Sequence, residues 1–361
     1  MSSCIATPSH LPDLVRGTFN RARSSGDLSC YPTKVAVLNV GTVPFQLRFA
    51  PSLANKPKAP GSQHSPSDPF CYTTASASPL FVTDIGPAHF LVLNKFAIVP
   101  EHFILATKAF RQQTHVLEPA DIAAAWACIT AYEAANSQAN AEKNDPRQEE
   151  MDATYNPNYK QDQNGLFVFF NSGPESGASQ PHRHIQMLPI AAMYRGLDSS
   201  HPRWNVLAST QSVHNTLPFT CFSESISSPD GAYASYLRLY RRACDAVRAH
   251  KGQSLDSFMY DTPRAPLEQT NVNQETLTAL PARISYNMAM TSRSIILCPR
   301  LAESATLPMA DSRNAHAVSA AFNGTLLAGT LLAKTEAEWN TLRSSPSLLG
   351  QILAEIGVPK K

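Results

Sequence analysis

Residues 169–190 read FFNSGPESGASQPHRHIQMLPI, and this stretch decides how the rest of the chain is interpreted. An apolar strand is predicted to end at Asn171, and a loop rich in Gly and Ser follows it. The chain then alternates His182, His184 and Gln186 with bulky residues. Because alternate residues of an extended chain share a face about 6–7 Å apart, two imidazoles and a carboxamide are predicted to point the same way. They lie beside a loop whose backbone N–H groups can cradle a phosphate.

An imidazole is a good nucleophile toward phosphorus, because it is neutral near physiological pH. A backbone carbonyl that held the Nδ1–H of His184 would leave its Nε2 free to attack, while the loop donors held the phosphoryl oxygens. From spacing alone, the His-x-His pattern is equally compatible with metal binding. No third metal ligand follows within the usual distance, and Gln186 is a poor ligand for zinc. A surface turn is the other alternative for the Gly/Ser loop.

The composition limits the class of protein. The chain has 361 residues, 43% apolar and 16% charged, and a formal net charge of +2, which is typical of a globular domain and unlike a nucleic-acid-wrapping surface. No run approaches the roughly 18 apolar residues of a membrane span, and the first residues do not resemble a secretory signal. The seven cysteines show no CxxC spacing. The protein is therefore expected in a reducing compartment, either the cytoplasm or the nucleus.

Local patterns predict the secondary structure. Prolines and small polar residues mark four loops, at 51–79, 141–165, 196–232 and 299–314. Strands are predicted at 34–40, 45–50, 89–100, 165–173, 283–290 and 294–300. Helices are predicted at 118–139, at 235–251 and from near Thr335, after an apolar strand that begins near 321. These elements predict an α+β fold, a largely antiparallel sheet with flanking helices.

The segment NSGPESGASQPHRHIQ resembles the active-site motif of the histidine-triad superfamily. It is most similar to the branch that holds galactose-1-phosphate uridylyltransferase and the fungal diadenosine tetraphosphate phosphorylases (ATP adenylyltransferases), in which Gln186 replaces the last His of the triad. Further segments resemble the phosphorylases, at 45–58, 92–114, 285–300 and 329–342. The resemblance implies a histidine-triad, uridylyltransferase-like catalytic domain over residues 1–361. Its two related halves would span about 30–195, with the His-x-His-x-Gln motif, and about 233–355.

The resemblance also implies a mechanism. His184 would attack the α-phosphate of the dinucleotide, ATP would leave, and phosphate would accept AMP from the adenylyl-histidine to give ADP. His182 would orient His184 through its backbone carbonyl. The residues implied to bind the reacting phosphate or to shape the loop around it are Asn171, Ser176, Gly177, Ala178, Ser179 and Gln186.

Other nucleotide-binding residues are predicted outside the motif, at Lys56, Asn94, Lys95, Asn287, Thr291 and Arg293. Alone, Lys56 is best interpreted as a solvated surface lysine, but the resemblance gives it a role in binding polyphosphate. Asn94 and Lys95 interrupt an apolar run. They either mark the end of a strand or contact the nucleotide. Asn287 either satisfies buried backbone groups or contacts the nucleotide. His102 is interpreted as structural.

The expected partners are small molecules, namely diadenosine tetraphosphate, ATP, ADP and phosphate, without nucleic acid or membrane, and a monomer is compatible with the sequence. No metal site or tightly bound cofactor is expected, although a divalent cation such as Mg²⁺ would accompany the polyphosphate. Three alternatives remain open. They are a hexose-1-phosphate uridylyltransferase, a non-catalytic nucleotide-binding protein and a metal-binding module.

Overall fold

The computed structural model describes residues 5–53, 68–141, 164–197, 204–210, 215–253, 280–307 and 318–360. The helices of this part of the chain are α1 (Leu11–Ser25), α2 (Tyr72–Ala75), α3 (Pro119–Ala141), α4 (Ile190–Met193), α5 (Pro229–His250), α6 (Glu336–Ser344) and α7 (Pro346–Ile356). Short 3-10 turns cover Pro51–Leu53, Pro174–Ser176, Leu207–Ser209 and Gly324–Ala328. None of the helices in these ranges is long and apolar enough to cross a membrane.

The strands make up most of the core. In chain order they are β1 (Ser29–Cys30), β2 (Lys34–Val40), β3 (Val43–Phe49), β4 (Phe81–Ile85), β5 (His89–Leu93), β6 (Phe96–Ala97), β7 (Phe103–Thr107), β8 (Leu166–Ser172), β9 (His184–Pro189), β10 (Phe222–Ser225), β11 (Ser285–Met290), β12 (Ser294–Arg300), β13 (Ser304–Leu307), β14 (Val318–Ala321) and β15 (Thr330–Ala333).

Eight strands form one sheet in the order β10-β12-β11-β8-β9-β7-β5-β4. Every neighbouring pair in it is antiparallel, which confirms the predicted fold class. A second sheet has the order β15-β3-β2, with β15 parallel to β3. The large sheet continues from the first half of the chain to the second through the β8–β11 pair. The division into two related halves stays a prediction.

Both faces of the large sheet are covered. On one face, Ile185 and Met187 of β9 pack in a core that includes residues of α1, α3 and α5. On the other face, Leu188 packs with residues of the small sheet and of α7. The two-residue alternation predicted for the motif is therefore present, and it directs Gln186 to the same side as Leu188.

Caps explain where two C-terminal helices begin. The Ser228 side chain accepts a hydrogen bond from Gly231 N at the start of α5. At α6, Thr335 and Glu338 form a reciprocal capping box. The predicted start near Thr335 is confirmed, whereas the start of the earlier helix at 235 is wrong, because Pro229 occupies its first turn.

Other local predictions need correction. The strand predicted over 89–100 is divided into β5 and β6, because the Asn94 side chain accepts the backbone N–H of Phe96 and closes a turn. The predicted loops 196–232 and 299–314 contain β10 and β13. Helices α1 and α7 were not predicted. Of the predicted loops 51–79 and 141–165, residues 54–67 and 142–163 lie outside the described residues.

Candidate active site

His184 begins β9 and is buried, with 2% of its surface exposed. Its Nδ1 lies 2.8 Å from the carbonyl oxygen of His182. Since a carbonyl oxygen only accepts, the proton of the neutral ring is on Nδ1, and the lone pair of Nε2 is available for attack. Burial lowers the pKa of His184 from 6.5 to about 4. The imidazole is thus neutral, and nucleophilic, throughout the physiological range.

His182 is held at both ring nitrogens. Its Nδ1 lies 2.6 Å from a carboxylate oxygen of Asp68, and its Nε2 lies 2.7 Å from the carbonyl oxygen of Thr107. The ring is 1% exposed. A side chain fixed at two points also fixes the backbone that carries it, and it is the His182 carbonyl that orients His184.

Phe70 covers the two histidines. Its ring stacks on His184 and meets His182 edge-on. Asp68 and Phe70 lie within the predicted loop 51–79, and sequence reasoning missed both. The signal that could have found them is the acidic and aromatic pair in DPF, inside this loop.

Two further side chains hold the motif strand in place. The carboxamide oxygen of Gln113 accepts the backbone N–H of His184, and its NH₂ donates to the carbonyl oxygen of Asn171. Gln113 thereby links the end of β8 to the start of β9. On the opposite face, Arg183 donates to Asp121, which is also bonded to His89. Although burial opposes ionisation of Asp121, the His89 hydrogen bond and the charge of Arg183 lower its pKa.

The Gly/Ser loop between β8 and β9 depends on two glycines. Gly173 and Gly177 flank the turn Pro174–Ser176, and their φ angles are +89° and +78°. A Cβ on Gly177 would lie 2.8 Å from the carbonyl oxygen of Phe322. Backbone conformation and close approach thus both require glycine here. Ser176 is buried, and its hydroxyl donates to Gly173 O, so its role is to close the turn.

Asn287 and Asn171 support this loop from behind. The Asn287 amide donates to the Asn171 side-chain oxygen and to the carbonyl oxygen of Ser176, both at 2.9 Å. Asn171 also accepts the backbone N–H of Gly324 at 2.9 Å. Arg300, whose pKa burial lowers to about 10, donates to Asn287. These bonds join the loop to the C-terminal part of the chain.

A cavity of about 320 Å³ opens beside the motif. Four predicted residues line it, namely Asn94, Gly177, Ser179 and Gln186. Other polar residues line it as well, namely His102, Glu303, Asn323, Thr325, Thr330 and Lys334, and none of them was predicted as a binding residue. Apolar side chains such as Phe96, Ile98 and Leu188 complete the wall. A lining that combines polar and apolar side chains suits a nucleotide, which has both kinds of surface.

The other predicted residues lie elsewhere. Thr291 and Arg293 belong to the turn between β11 and β12, and neither lines the cavity. Because β11 is antiparallel to β8, with Tyr286 opposite Ser172 and Met290 opposite Val168, this turn lies at the end of the strands away from the Gly/Ser loop. This register therefore does not bring Thr291 or Arg293 to the cavity, where a nucleotide would be contacted.

Lys95 is exposed, with its ammonium 5.9 Å from the centre of the Phe96 ring, and it does not line the cavity. Ala178 is half-buried in the Gly/Ser loop. Lys56 lies outside the described residues. In the ranges that the structure describes, no group of three His, Cys, Asp or Glu side chains could hold a metal ion.

Two family models match almost the whole chain. The Ap4A phosphorylase N-terminal domain matches residues 1–143 and 140–202, and the ATP adenylyltransferase C-terminal domain matches residues 215–359. The chain belongs to the Ap4A phosphorylase/ATP adenylyltransferase family. The predicted family is therefore confirmed, and so is the predicted class of enzyme, a nucleotidyltransferase.

Relatives of this family member occur in Saccharomyces cerevisiae. Protein APA1 is 24% identical over 371 aligned positions, covering 98% of this chain and 96% of the relative. Diadenosine 5',5'''-P1,P4-tetraphosphate phosphorylase 2 is 26% identical over 334 positions, covering 88% and 85%. Crystal structures of yeast Ap4A phosphorylase Apa2 have the same fold. The complex with Ap4A has a TM-score of 0.65 and 22% identity and covers 99% of this chain and 100% of the yeast chain. The AMP complex has a TM-score of 0.61.

Proposed function

We propose that the protein catalyses the phosphorolysis of diadenosine tetraphosphate (Ap4A) to ATP and ADP through an adenylyl group on Nε2 of His184. The observation that carries the proposal is the hydrogen bond between His184 Nδ1 and the His182 carbonyl, which leaves Nε2 free in a ring that burial keeps neutral. The names of the yeast relatives and of both family models support this substrate.

In the first step, Nε2 forms a bond to the α-phosphorus of one adenosine. The bond from that phosphorus to its bridging oxygen breaks, and ATP leaves with the electron pair. The backbone N–H groups near Gly177 and Ala178, with the side chains of Ser179 and Gln186, would hold the non-bridging oxygens as charge builds up on them. The imidazole becomes positively charged, and the His182 carbonyl stabilises its Nδ1–H.

In the second step, inorganic phosphate attacks the same phosphorus, the P–N bond breaks, and ADP leaves. The carboxamide of Gln186 is a reason to expect phosphate, not water, as the acceptor of the adenylyl group. A carboxamide has no titrating proton near neutral pH and so cannot activate water or protonate a poor leaving group. Phosphate is already an anion, and ATP leaves well with its charge spread over three phosphates.

The charge of the substrate must be balanced. Lys334 is the cation among the described side chains that line the cavity, and we expect Lys56 to add a second. Four phosphates carry more charge than two lysines neutralise, so a divalent cation such as Mg²⁺ would enter as part of the substrate. No tightly bound cofactor is needed. The free cysteines of the described chain support a reducing compartment, the cytosol or the nucleus. All the residues proposed for this site come from one chain, so a monomer would suffice for the reaction.

The experiment is an incubation with Ap4A, with and without phosphate, followed by separation of the nucleotides. ATP and ADP should form in equal amounts, only with phosphate, and with ping-pong kinetics. Ap4A labelled at the α-phosphates should leave acid-labile label on the wild-type protein and on a His250→Asn control, whose histidine is exposed at the end of α5. His184→Asn should abolish both labelling and turnover. ATP plus AMP at a comparable rate without phosphate would identify a hydrolase instead.

A further inference from the structure

His102 lies where the cavity meets Gln186, and the mechanism above gives it no role. It follows β6, is 6% exposed, and lines the cavity together with Gln186 and Asn94. The residue before it, Glu101, has a φ of +59°. A non-glycine residue in the left-handed region is strained, and such strain is concentrated at functional positions. The strained residue lies directly next to the histidine that faces the cavity.

The hydrogen bonds around His102 determine its tautomer. The Asn94 side-chain oxygen accepts the backbone N–H of Phe96 at 3.0 Å, which fixes the orientation of the amide. The Asn94 NH₂ then lies 3.0 Å from His102 Nδ1. Because an NH₂ group only donates, Nδ1 is the acceptor, and the proton of the neutral ring is on Nε2. Burial lowers the pKa of His102 to about 4, so the ring is neutral at physiological pH.

The Nε2–H is the unusual group. The Nε2 atom is buried and has no hydrogen-bond partner among the described residues. A buried donor without a partner is unfavourable and needs an explanation. Gln186 is the neighbouring polar side chain, and its effect is to raise the pKa of His102, against burial. An acceptor oxygen that faces an N–H has this direction of effect.

The side-chain amide of Gln186 can adopt two orientations. The oxygen and the NH₂ of a carboxamide occupy nearly identical volumes, so shape alone does not distinguish the two orientations. Only one of them is useful for phosphoryl transfer, because the NH₂ attracts a phosphoryl oxygen and the carbonyl oxygen repels it. A donor behind Gln186 would select the productive orientation by binding its oxygen.

We propose that His102 is a positioning residue, whose Nε2–H donates to the Gln186 side-chain oxygen when substrate fills the cavity and so turns the Gln186 NH₂ toward the reacting phosphate. Hydrogen bonds in active sites often tighten only in the substrate complex. The chain of donors then runs from the Phe96 N–H through Asn94 and His102 to Gln186. This inference rests on the proposed function, because it assigns Gln186 to the phosphate.

A double-mutant cycle tests the coupling. The variants are His102→Leu, which removes the donor, His102→Gln, which keeps an N–H at a similar reach, Gln186→Ala, and the double variant His102→Leu with Gln186→Ala. The readout is the single-turnover rate of adenylyl-His184 formation from Ap4A. His102→Leu should slow this rate by about tenfold to a hundredfold, as a misplaced catalytic group does. His102→Gln should regain most of the loss.

The decisive comparison is made in the Gln186→Ala background. If His102 acts through Gln186, His102→Leu should cost there less than about threefold. Additive losses would overturn the proposal, because a purely structural histidine or one that binds substrate directly gives that result. Thermal unfolding of each variant checks the fold, and His102→Gln remains informative if His102→Leu does not fold.

A second measurement does not depend on turnover, so it separates this inference from the proposed function. In protein labelled with ¹⁵N-histidine, NMR should show His102 as the Nε2–H tautomer down to about pH 5. With AMP bound, Gln186→Ala should shift its Nε2 resonance. An Nδ1–H tautomer, or a resonance that Gln186→Ala leaves unchanged, would overturn the proposal. If the wild type does not act on Ap4A while both NMR results hold, the substrate assignment fails and the positioning role stands.

Discussion

The ring of Phe70 stacks on the imidazole of His184, with 4.9 Å between the ring centroids and an angle of 29° between the planes. Phe70 thus removes one face of the nucleophile from solvent. Burial is the main cause of the low pKa of His184, about 4, and Phe70 supplies part of that burial. The aromatic cover therefore helps to keep the nucleophile unprotonated.

Phe70→Ala should raise the pKa of His184 toward its ordinary value of 6.5. The protonated ring has no lone pair on Nε2, so the acid limb of the rate of adenylyl transfer should move to higher pH in the variant. An NMR titration of the His184 ring and the pH–rate profile measure the two effects. Phe110→Ala is the matched control, since Phe110 lies edge-on to His182 but is 53% exposed. An unchanged pH profile in Phe70→Ala would show that Phe70 does not control protonation.

Asp68→Asn should weaken the anchoring of His182. Asn keeps an acceptor oxygen near His182 Nδ1 but removes the charge, and hydrogen bonds to charged acceptors are roughly twice as strong as neutral ones. The rate of adenylyl transfer should fall by about tenfold, with KM for Ap4A little changed, because orientation of His184 is lost and substrate contacts are kept. Steady-state kinetics measure this.

The control for Asp68→Asn is Asp84→Asn. Asp84 is an exposed carboxylate, which contacts Tyr72 and Lys108 and none of the motif residues. Its replacement should leave kcat unchanged. Equal effects of the two substitutions would indicate a general loss of negative charge instead of a role in holding His182.

The sequence predicted β5, β8, β11 and β12 of the large sheet, and the extended motif of β9, because their information is local; β4, β7 and β10 were not predicted. Alternation in HRHIQMLPI specifies which side chains share a face, and apolar runs such as 165–173 specify buried strands. The hydrogen bond from His184 to the His182 carbonyl is also local, since it joins residues two positions apart. Predictions of this kind need no knowledge of strand order.

Predictions that depended on tertiary contacts were weaker. Asp68 is separated from His182 by 114 positions in the chain, and no periodic pattern marks it. Thr291 and Arg293 looked like counterparts of Asn287, but the antiparallel register of β11 carries them to the far end of the sheet. The tautomer of His102 depends on how the Asn94 amide is held. Strand register and amide orientation become visible only in three dimensions.

At position 101, replacement of Glu101 by glycine should destabilise the protein less than replacement by alanine, the reverse of the usual order. Its φ of +59° costs an ordinary residue about 1–2 kcal/mol, which glycine does not incur. Both Glu101→Ala and Glu101→Gly lose the same distant ion pairs, with Arg16 at 3.8 Å and Arg195 at 3.9 Å. The glycine variant should therefore be the more stable of the two, by about 1 kcal/mol. Urea unfolding gives the free energies.

The same pair of substitutions at Arg241, an exposed position inside α5, is the control for Glu101. There alanine should be more stable than glycine by about 1 kcal/mol, as in any helix interior. If alanine is also preferred at Glu101, the left-handed conformation of that residue is not maintained in solution.

Gly177→Ala should damage the Gly/Ser loop more than a comparable change elsewhere. Gly177 and Gly252 both have positive φ angles, +78° and +64°, so alanine is strained at each. At Gly177 the new Cβ also meets the Phe322 carbonyl oxygen at 2.8 Å, whereas at Gly252 nothing lies within 4 Å. Gly177→Ala should therefore lower the thermal midpoint further than Gly252→Ala, and it alone should reduce adenylyl transfer. Similar losses of activity in both would mean that the loop geometry is not what limits the reaction.

The two buried histidines of the site make stability depend on pH. In the folded protein His102 and His184 have pKa values of about 4, lowered by burial, whereas in the unfolded chain they titrate near 6.5. Between these values the unfolded chain binds more protons than the folded one, so the free energy of unfolding must fall as the pH falls.

The contribution of these histidines to the free energy of unfolding should be constant above about pH 7 and should decrease by up to about 3 kcal/mol per histidine as the pH falls from 6.5 to 4. His115, whose pKa burial also lowers, acts in the same direction. Asp121, with its lowered pKa, adds to the decrease at the acid end of this window and below it. Urea unfolding at pH 7.5, 6 and 5 measures the slope, and His102→Gln, which cannot titrate, should reduce it. Equal free energies of unfolding at pH 7.5 and pH 5 would mean that the two imidazoles titrate in the folded protein as they do in the unfolded chain. Burial would then not be what keeps His184 neutral.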